Sequence, residues 1–338
     1  MNLPDPAPVV DLIDAFRRSK TMFTAVSLGI FDHLAETPAG AEELAGRIGA
    51  NPDALARLLD ACVGLGFLRR DAGIYYNQPV AATYLCRSSP HALTGYILYS
   101  DQVLYRLWTH LDDALREGTH RWHQAFGLDP ATLFENFFRD DDAMRTFLRG
   151  MHGFGLLSSP KVVAAFDLSR FRCLADLGGA TGHLAVAACE RYSGLRGIVL
   201  DLPRVIEVAR DYIQQSAARD RIDLVAGDFF ADPLPSADLY SLGRILHDWS
   251  VPKIHRLLTR IYDCLPPGGG LLVAEKLLQE DRSGPVAAHM QSLNMLCCTE
   301  GKERTLAEYT TLLTRAGFTR IEGCRTGAPL DAVLAIRN

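Results

Sequence analysis

Residues 173–182 read Cys-Leu-Ala-Asp-Leu-Gly-Gly-Ala-Thr-Gly. A short apolar run closed by glycines reads as a buried strand entering a tight turn. A helical pattern follows over 182–191. Strand, glycine turn and helix form the opening unit of an α/β nucleotide site, where glycine lets the backbone turn sharply and approach a ligand. The dinucleotide fingerprint GxGxxG does not fit this turn. Counted from Gly178, its second glycine falls on Ala180 and its third on His183; counted from Gly179, it fails at Thr181. What remains is DxGxxxG, on Asp176, Gly178 and Gly182. That spacing suits a ligand without phosphates, such as S-adenosylmethionine (SAM), with Asp176 placed to act on a cationic or amino group.

Outward from this turn, short apolar runs alternate with helical patterns. CLADLG, GIVLD, IDLVAG, ADLYSLG, GGLLVAEK, TRIEGC and DAVLAIR read as strands; 182–191, 203–214, 252–264 and 305–316 read as helices. The alternation predicts an α/β fold: a mostly parallel seven-stranded Rossmann-like sheet over 166–338, covered on both faces. Ligands of such sheets bind at the carboxyl ends of the strands. There the second strand ends in Asp201-Leu202, where an acid is placed to hold both ribose hydroxyls. The third leads to Asp228-Phe229, an acid and a ring suited to an adenine. Taken singly, an aspartate at a strand end is an ordinary turn or cap residue. Three at successive strand ends point to one ligand.

The fourth strand runs into His247-Asp248-Trp249, the fifth ends at Glu275, and Glu303 precedes the last long helix. Two readings stand on the residues alone. In one, His247 is a general base oriented by Glu275 and Glu303, with Asp248 facing the acceptor. In the other, His247 caps Asp248 or the next helix and both glutamates lie on the surface. A phenol, with a pKa of about 10, needs such a base at neutral pH. No cluster of Asp and Asn calls for Mg²⁺, so a metal-independent reaction is expected.

The half before residue 165 reads almost entirely as helix: apolar spacing over 10–34, then helices over 41–48 and 52–65 and two strand-like pieces around Asp71-Ala72-Gly73. This is a winged-helix pattern, expected to form a domain over 1–165. A DNA-binding role conflicts with its charge, because the would-be recognition helix carries Asp53, Arg57 and Asp60. A packing or dimerisation module is expected instead. The 338 residues carry a net charge of −5 and 48% hydrophobic residues, the balance of a soluble globular chain. The first residues, rich in proline and acid, do not read as a signal peptide, and no stretch reaches the roughly 18 uninterrupted apolar residues of a membrane span. The eight cysteines show no CxxC spacing. They read as reduced core residues of a cytoplasmic protein.

Longer stretches carry a family resemblance: AFDLS, DLGGATG, LDLP, GDFFADPLPSADLY, RILHDW, PPGGGLLVAEKLLQEDRSGP, SLNMLCCTEGKERT and LLTRAGF, with LGIFDHLAE and ALARLLDACVGLGFL more loosely in the first half. The chain resembles the SAM-dependent O-methyltransferases of the plant small-molecule type, and most of all their acetylserotonin O-methyltransferase branch. The resemblance implies an intertwined homodimer, a small aromatic hydroxylated acceptor and S-adenosylhomocysteine as product. It assigns the base to His247, flanked by Glu275 and Glu303. It places Gly178, Asp201, Asp228, Phe229 and Arg244 around SAM, and Asn294, Met295 and Cys298 along the acceptor. Met151, Phe154 and the partner subunit's Phe23 would close the pocket. Phe138 aligns where the branch has a tyrosine near the cofactor, Gly155 where it has a tryptophan, and Cys298 where it has a glutamine. These departures bear on the acceptor more than on the reaction, and a wider pocket would admit a polycyclic phenol. N-methylation, or a SAM-assisted hydroxylation or decarboxylation, is the alternative on the same fold.

Overall fold

The computed structural model describes residues 3–128 and 133–338. The chain forms two compact units, Met1–Val103 and Leu104–Asn338. Compactness divides it earlier than the change from helical to α/β patterning near residue 165, because the helices of 105–164 belong with the sheet.

In the first unit, helices Ala7–Ser27 and Ile30–Glu36 are separated at Gly29, which takes the left-handed φ of 69°. Helices Ala41–Ile48 and Pro52–Gly64 follow. Asn51 caps the latter, its side chain accepting the Ala54 N–H, and Pro52 occupies the first turn where no donor is needed. The hairpin of β1 (Leu68–Asp71) and β2 (Ile74–Asn77) completes the winged-helix arrangement. Ile30, Phe31, Leu44, Leu59, Cys62 and Tyr75 form its core. Arg57 pairs with Asp53 on the outer face of the second of these helices. The first helix leaves Val9, Leu12, Ile13 and Phe16 exposed.

The second unit is built on β3 (Cys173–Leu177), β4 (Arg196–Asp201), β5 (Ile222–Ala226), β6 (Leu239–Gly243), β7 (Gly270–Glu275), β8 (Arg320–Cys324) and β9 (Asp331–Ile336). Their order is β5-β4-β3-β6-β7-β9-β8, and β9 alone runs against its neighbours. Every residue of β7 is buried, which is why its sequence is a continuous apolar run closed by Glu275. Helices His183–Arg191, Pro203–Gln214, Val251–Cys264 and Leu306–Arg315 alternate with the strands. One core gathers Leu177, Tyr240, Leu257, Ile261 and Phe318; another gathers Val162, Leu174, Leu184, Val199 and Leu272. The strand order reverses between β3 and β6, so the ligand crevice lies outside their carboxyl ends. The glycine turn follows β3, and His247 follows β6.

The cysteines correct one expectation. Five are buried, but Cys264 is exposed and Cys173 and Cys324 are partly so. Among the described residues, no helix is long and apolar enough to cross a membrane.

Candidate active site

The turn after β3 admits no side chain at its glycines. Gly178 and Gly182 have φ of 68° and 78°, and a Cβ would stand 2.6 Å from Ile245 at the first and 2.6 Å from Ile213 at the second. Ala180 adopts φ 51° without being glycine, a conformation that persists only when its surroundings hold it. Backbone donors at Gly178, Ala180 and Gly182 are already used. Gly178 N–H bonds the Leu200 carbonyl at 2.8 Å, Gly182 N–H bonds Gly179 at 2.8 Å, and Ala180 N–H bonds the Asp201 carboxylate at 2.8 Å. A pyrophosphate cradle needs such donors directed at the ligand, so this turn fits a cofactor that brings close contact without phosphates.

Asp201 also accepts the Leu202 N–H at 2.8 Å. Each of its oxygens keeps a lone pair for a further donor, as a ribose diol requires. Burial raises its carboxyl to about 6. Asp176 is buried beneath the turn and accepts the Ser241 hydroxyl at 2.6 Å. Its second oxygen is buried with no hydrogen-bond partner, and burial raises the group to about 7. An orphaned acceptor beside a glycine-rich turn is the feature expected beneath a cofactor carrying an amino group. Asp228 holds its own loop, accepting the Phe230 N–H at 2.7 Å, while the Phe229 ring lies 3.2 Å from where a Cβ of Gly178 would be. Phe138, Leu202 and Ala180 pack in one small cluster with Met144 and Leu148. Arg244 follows β6 with φ 58°, and its guanidinium lies 5.8 Å from the Phe154 ring centre.

Beyond Arg244 the chain makes a single short turn, Leu246–Asp248. Glu275 controls it: one of its oxygens accepts the N–H groups of Ile245 at 3.0 Å and Leu246 at 2.9 Å. The imidazole of His247 places Nδ1 2.6 Å from Glu303 and 3.2 Å from the other oxygen of Glu275. All three side chains are buried, so the reading of both glutamates as surface acids is excluded. Asp248 stands 3.7 Å from Nε2. Burial raises Glu275 to about 7, Glu303 to about 8 and Asp248 to about 7. Such clustered perturbation makes these three carboxyls candidates for a proton-transfer site.

On helix Val286–Cys298, Asn294 accepts the Trp108 indole N–H at 2.8 Å and the Cys298 thiol at 3.6 Å. Met295 is buried in the same helix, Val286–Cys298. Met151 and Phe154 are half-buried on helix Asp141–Ala164. Gly155 is occupied from outside: a Cβ there would stand 2.3 Å from the His183 ring, whose Nδ1 lies 2.8 Å from the Ser159 hydroxyl. Phe23 belongs to the first unit and packs half-buried against that unit's core.

Four residues were not singled out from the sequence. Ser241 binds Asp176, and Trp108 binds Asn294. Gly301 passes so close to His247 that a Cβ would stand 2.1 Å from its carbonyl oxygen. His152 places Nδ1 2.9 Å from the Thr181 hydroxyl in the cofactor turn, and its ring lies 4.2 Å from that of Tyr212. Only Gly301, a glycine inside TEGKERT, left a signal in the sequence.

A seven-stranded sheet with a phosphate-free nucleotide turn at its switch point defines the class of Rossmann-like, SAM-dependent methyltransferases. The O-methyltransferase domain family matches residues 108–319, and the O-methyltransferase dimerisation domain family matches 10–87. The chain is 42% identical to acetylserotonin O-methyltransferase of Gallus gallus, over 98% of both chains. It is 40% identical to a probable bifunctional dTTP/UTP pyrophosphatase/methyltransferase protein of Homo sapiens, over 99% of this chain but 54% of that one. Human N-acetylserotonin methyltransferase in complex with SAM superposes with a TM-score of 0.94 at 39% identity, covering 100% of this chain and 99% of that one. The protein belongs to the SAM-dependent O-methyltransferase family.

Proposed function

We propose that the enzyme transfers a methyl group to a phenolic hydroxyl of a small aromatic acceptor, with His247 as general base and without a metal. The observation that carries this reading is the buried 2.6 Å contact between His247 Nδ1 and Glu303. It commits Nδ1 to the carboxylate and leaves Nε2 as the nitrogen that accepts a proton. When bound, SAM supplies an electrophilic methyl group. Asp201 and Asp228 hold its polar edges, Leu202, Phe229 and Phe138 pack its apolar ones, Arg244 and Asp176 face its charged end, and Gly178 and Gly182 give it room. Asn294, Met295, Cys298, Met151 and Phe154 form the acceptor wall in this reading. His247 takes the phenolic proton as the bond to oxygen forms, a contribution of roughly a hundred- to ten-thousand-fold. Asp248 beside Nε2 steadies the charge that develops there.

The ligand-type atoms of His247, Glu275 and Glu303 lie within 4.8 Å of one another, close enough for a divalent ion. The short nitrogen–oxygen contact favours a shared proton instead, and a chelator is expected to leave turnover unchanged. A loss on chelation, restored by a divalent ion, would overturn the metal-free assignment. The exposed apolar side of the first helix supports an intertwined homodimer; in this reading the partner subunit's Phe23 closes the pocket and the enzyme works in the cytoplasm. The central test is His247→Ala with a panel of phenols, read by mass spectrometry. Methylation is expected in the parent and nearly lost in the variant, while SAM binding persists. Undiminished turnover would refute the base assignment; no methyl gain on any phenol in the parent would favour N-methylation or another SAM-assisted reaction.

A further inference from the structure

A pocket of about 350 Å³ opens between helices Asp141–Ala164 and Pro203–Gln214, lined by Arg145, Arg149, Val208, Asp211, Tyr212 and Gln215. Val208 and Tyr212 pack in the cluster that holds Phe138, Leu202 and Ala180, while Arg145, Arg149, Asp211 and Gln215 have no part in the site described above. The two arginines are exposed and stand four residues apart, hence on one face of their helix. Like charges at that spacing repel, and such pairs are normally relieved by acids. Arg204, on the facing helix, is relieved in this way by Asp141 at 2.5 Å. Neither Arg145 nor Arg149 forms an ion pair or hydrogen bond with another described residue. Asp211 is the one carboxylate in the lining.

We propose that this pocket is a second ligand site, for a small organic phosphate or diphosphate, whose occupancy is transmitted to the cofactor turn. The donors on hand decide the ligand class. Two guanidinium forks, the Tyr212 hydroxyl and the Gln215 amide offer more hydrogen bonds than a carboxylate's two oxygens can accept, whereas a phosphate or diphosphate can take both forks and the hydroxyl together. Asp211 then suits a hydroxyl or amino group elsewhere on the ligand.

The link to the cofactor turn runs through contacts already described. Tyr212 lines the pocket and packs against His152 with ring centres 4.2 Å apart and planes tilted by 40°. His152 in turn places Nδ1 2.9 Å from the Thr181 hydroxyl, next to the strained Ala180. Burial holds His152 neutral, at about 4, so the contact persists at physiological pH. A ligand that fixes Tyr212 therefore fixes the residue that holds the turn.

The test is calorimetric titration of the full-length enzyme with inorganic pyrophosphate, citrate and sulfate at moderate salt. Pyrophosphate is expected to bind about tenfold tighter than citrate or sulfate, and R145E/R149E to lose about tenfold in affinity while Arg219→Glu, a surface control, loses none. By reciprocity, saturating pyrophosphate is expected to shift the dissociation constant of S-adenosylhomocysteine by about threefold in the parent and not in R145E/R149E. Unchanged melting temperature and S-adenosylhomocysteine binding without pyrophosphate show that the variant is folded. Equal binding of all three anions, or equal binding by R145E/R149E, would overturn the site. Binding without any change in S-adenosylhomocysteine affinity would overturn the link.

Discussion

Nδ1 of His247 and a carboxylate oxygen of Glu303 lie 2.6 Å apart in a place from which water is excluded. On the proposed reading the two groups share a proton, and the number of protons in the pair decides whether Nε2 is bare. With one proton between Nδ1 and Glu303, Nε2 can accept another; with a second proton aboard, it cannot. Glu275 acts differently on the same histidine, because it grips the backbone N–H groups of the turn that carries it.

Turnover should therefore rise with pH as the cluster sheds its extra proton, over the range of about 7 to 8 set by Glu275 and Glu303. Glu303→Gln removes the charge-assisted bond, worth roughly 1.5–3 kcal/mol, or about ten- to a hundredfold in rate. It should also displace the rising limb of a kcat profile. A variant with lower turnover but the same limb would show that Glu303 does not take part in the titration.

Stability should run the opposite way. Burial raises Glu303 from the usual carboxylate range to about 8. Between about pH 4.5 and 8 the folded protein holds a proton that the unfolded chain has released, so stability falls as pH rises through that window. Glu303→Gln cannot ionise, and its melting temperature should gain on the parent's from pH 5 to pH 8. Parallel melting curves across that range would contradict the buried-acid assignment.

Gly301→Ala tests how closely the histidine is held. The added methyl would meet the His247 carbonyl at 2.1 Å, and one of the two segments must move. A displacement of about 1 Å at a reacting group costs roughly a hundredfold in rate. The expected result is a large fall in kcat with SAM affinity retained, since the cofactor turn lies on another strand end. A fall in SAM affinity alone would point away from His247.

His152 should act on the cofactor. His152→Ala removes the partner of Thr181 beside the strained Ala180, and is expected to raise the SAM dissociation constant by about tenfold, or ~1.4 kcal/mol. At saturating SAM, kcat should hardly change. Thr181→Val should reproduce the effect, and the two changes together should cost little more than either alone. Additive losses would mean that the two residues support the turn separately.

The strands were legible because a buried parallel sheet writes itself as continuous apolar runs, and β7 is the clearest case. The cofactor turn was legible because glycine spacing reports backbone shape directly. His247, Glu275 and Glu303 could be picked out, but their joint burial could not. Nothing in a run such as VAEK tells a buried glutamate from an exposed one until the facing histidine is in place. Ser241, Trp108 and His152 were hidden for a related reason. Each sits in an unremarkable helix or strand, and its role exists only through a partner 65, 186 or 29 residues away in the chain. Helix Val286–Cys298 left little trace because its apolar residues are spread around its circumference, with Val286 and Met290 exposed.

The fit of Gly155 against the His183 ring has a practical consequence for redesign. The imidazole fills the volume that a side chain at 155 would need, so the two positions behave as one unit split across two helices. Grafting a relative's bulky residue at 155 onto this scaffold should fail by itself and become tolerable when His183 is cut to alanine in the same gene. Libraries aimed at new acceptors would do well to vary 155 and 183 together, because variants sampled one position at a time would discard workable pairs.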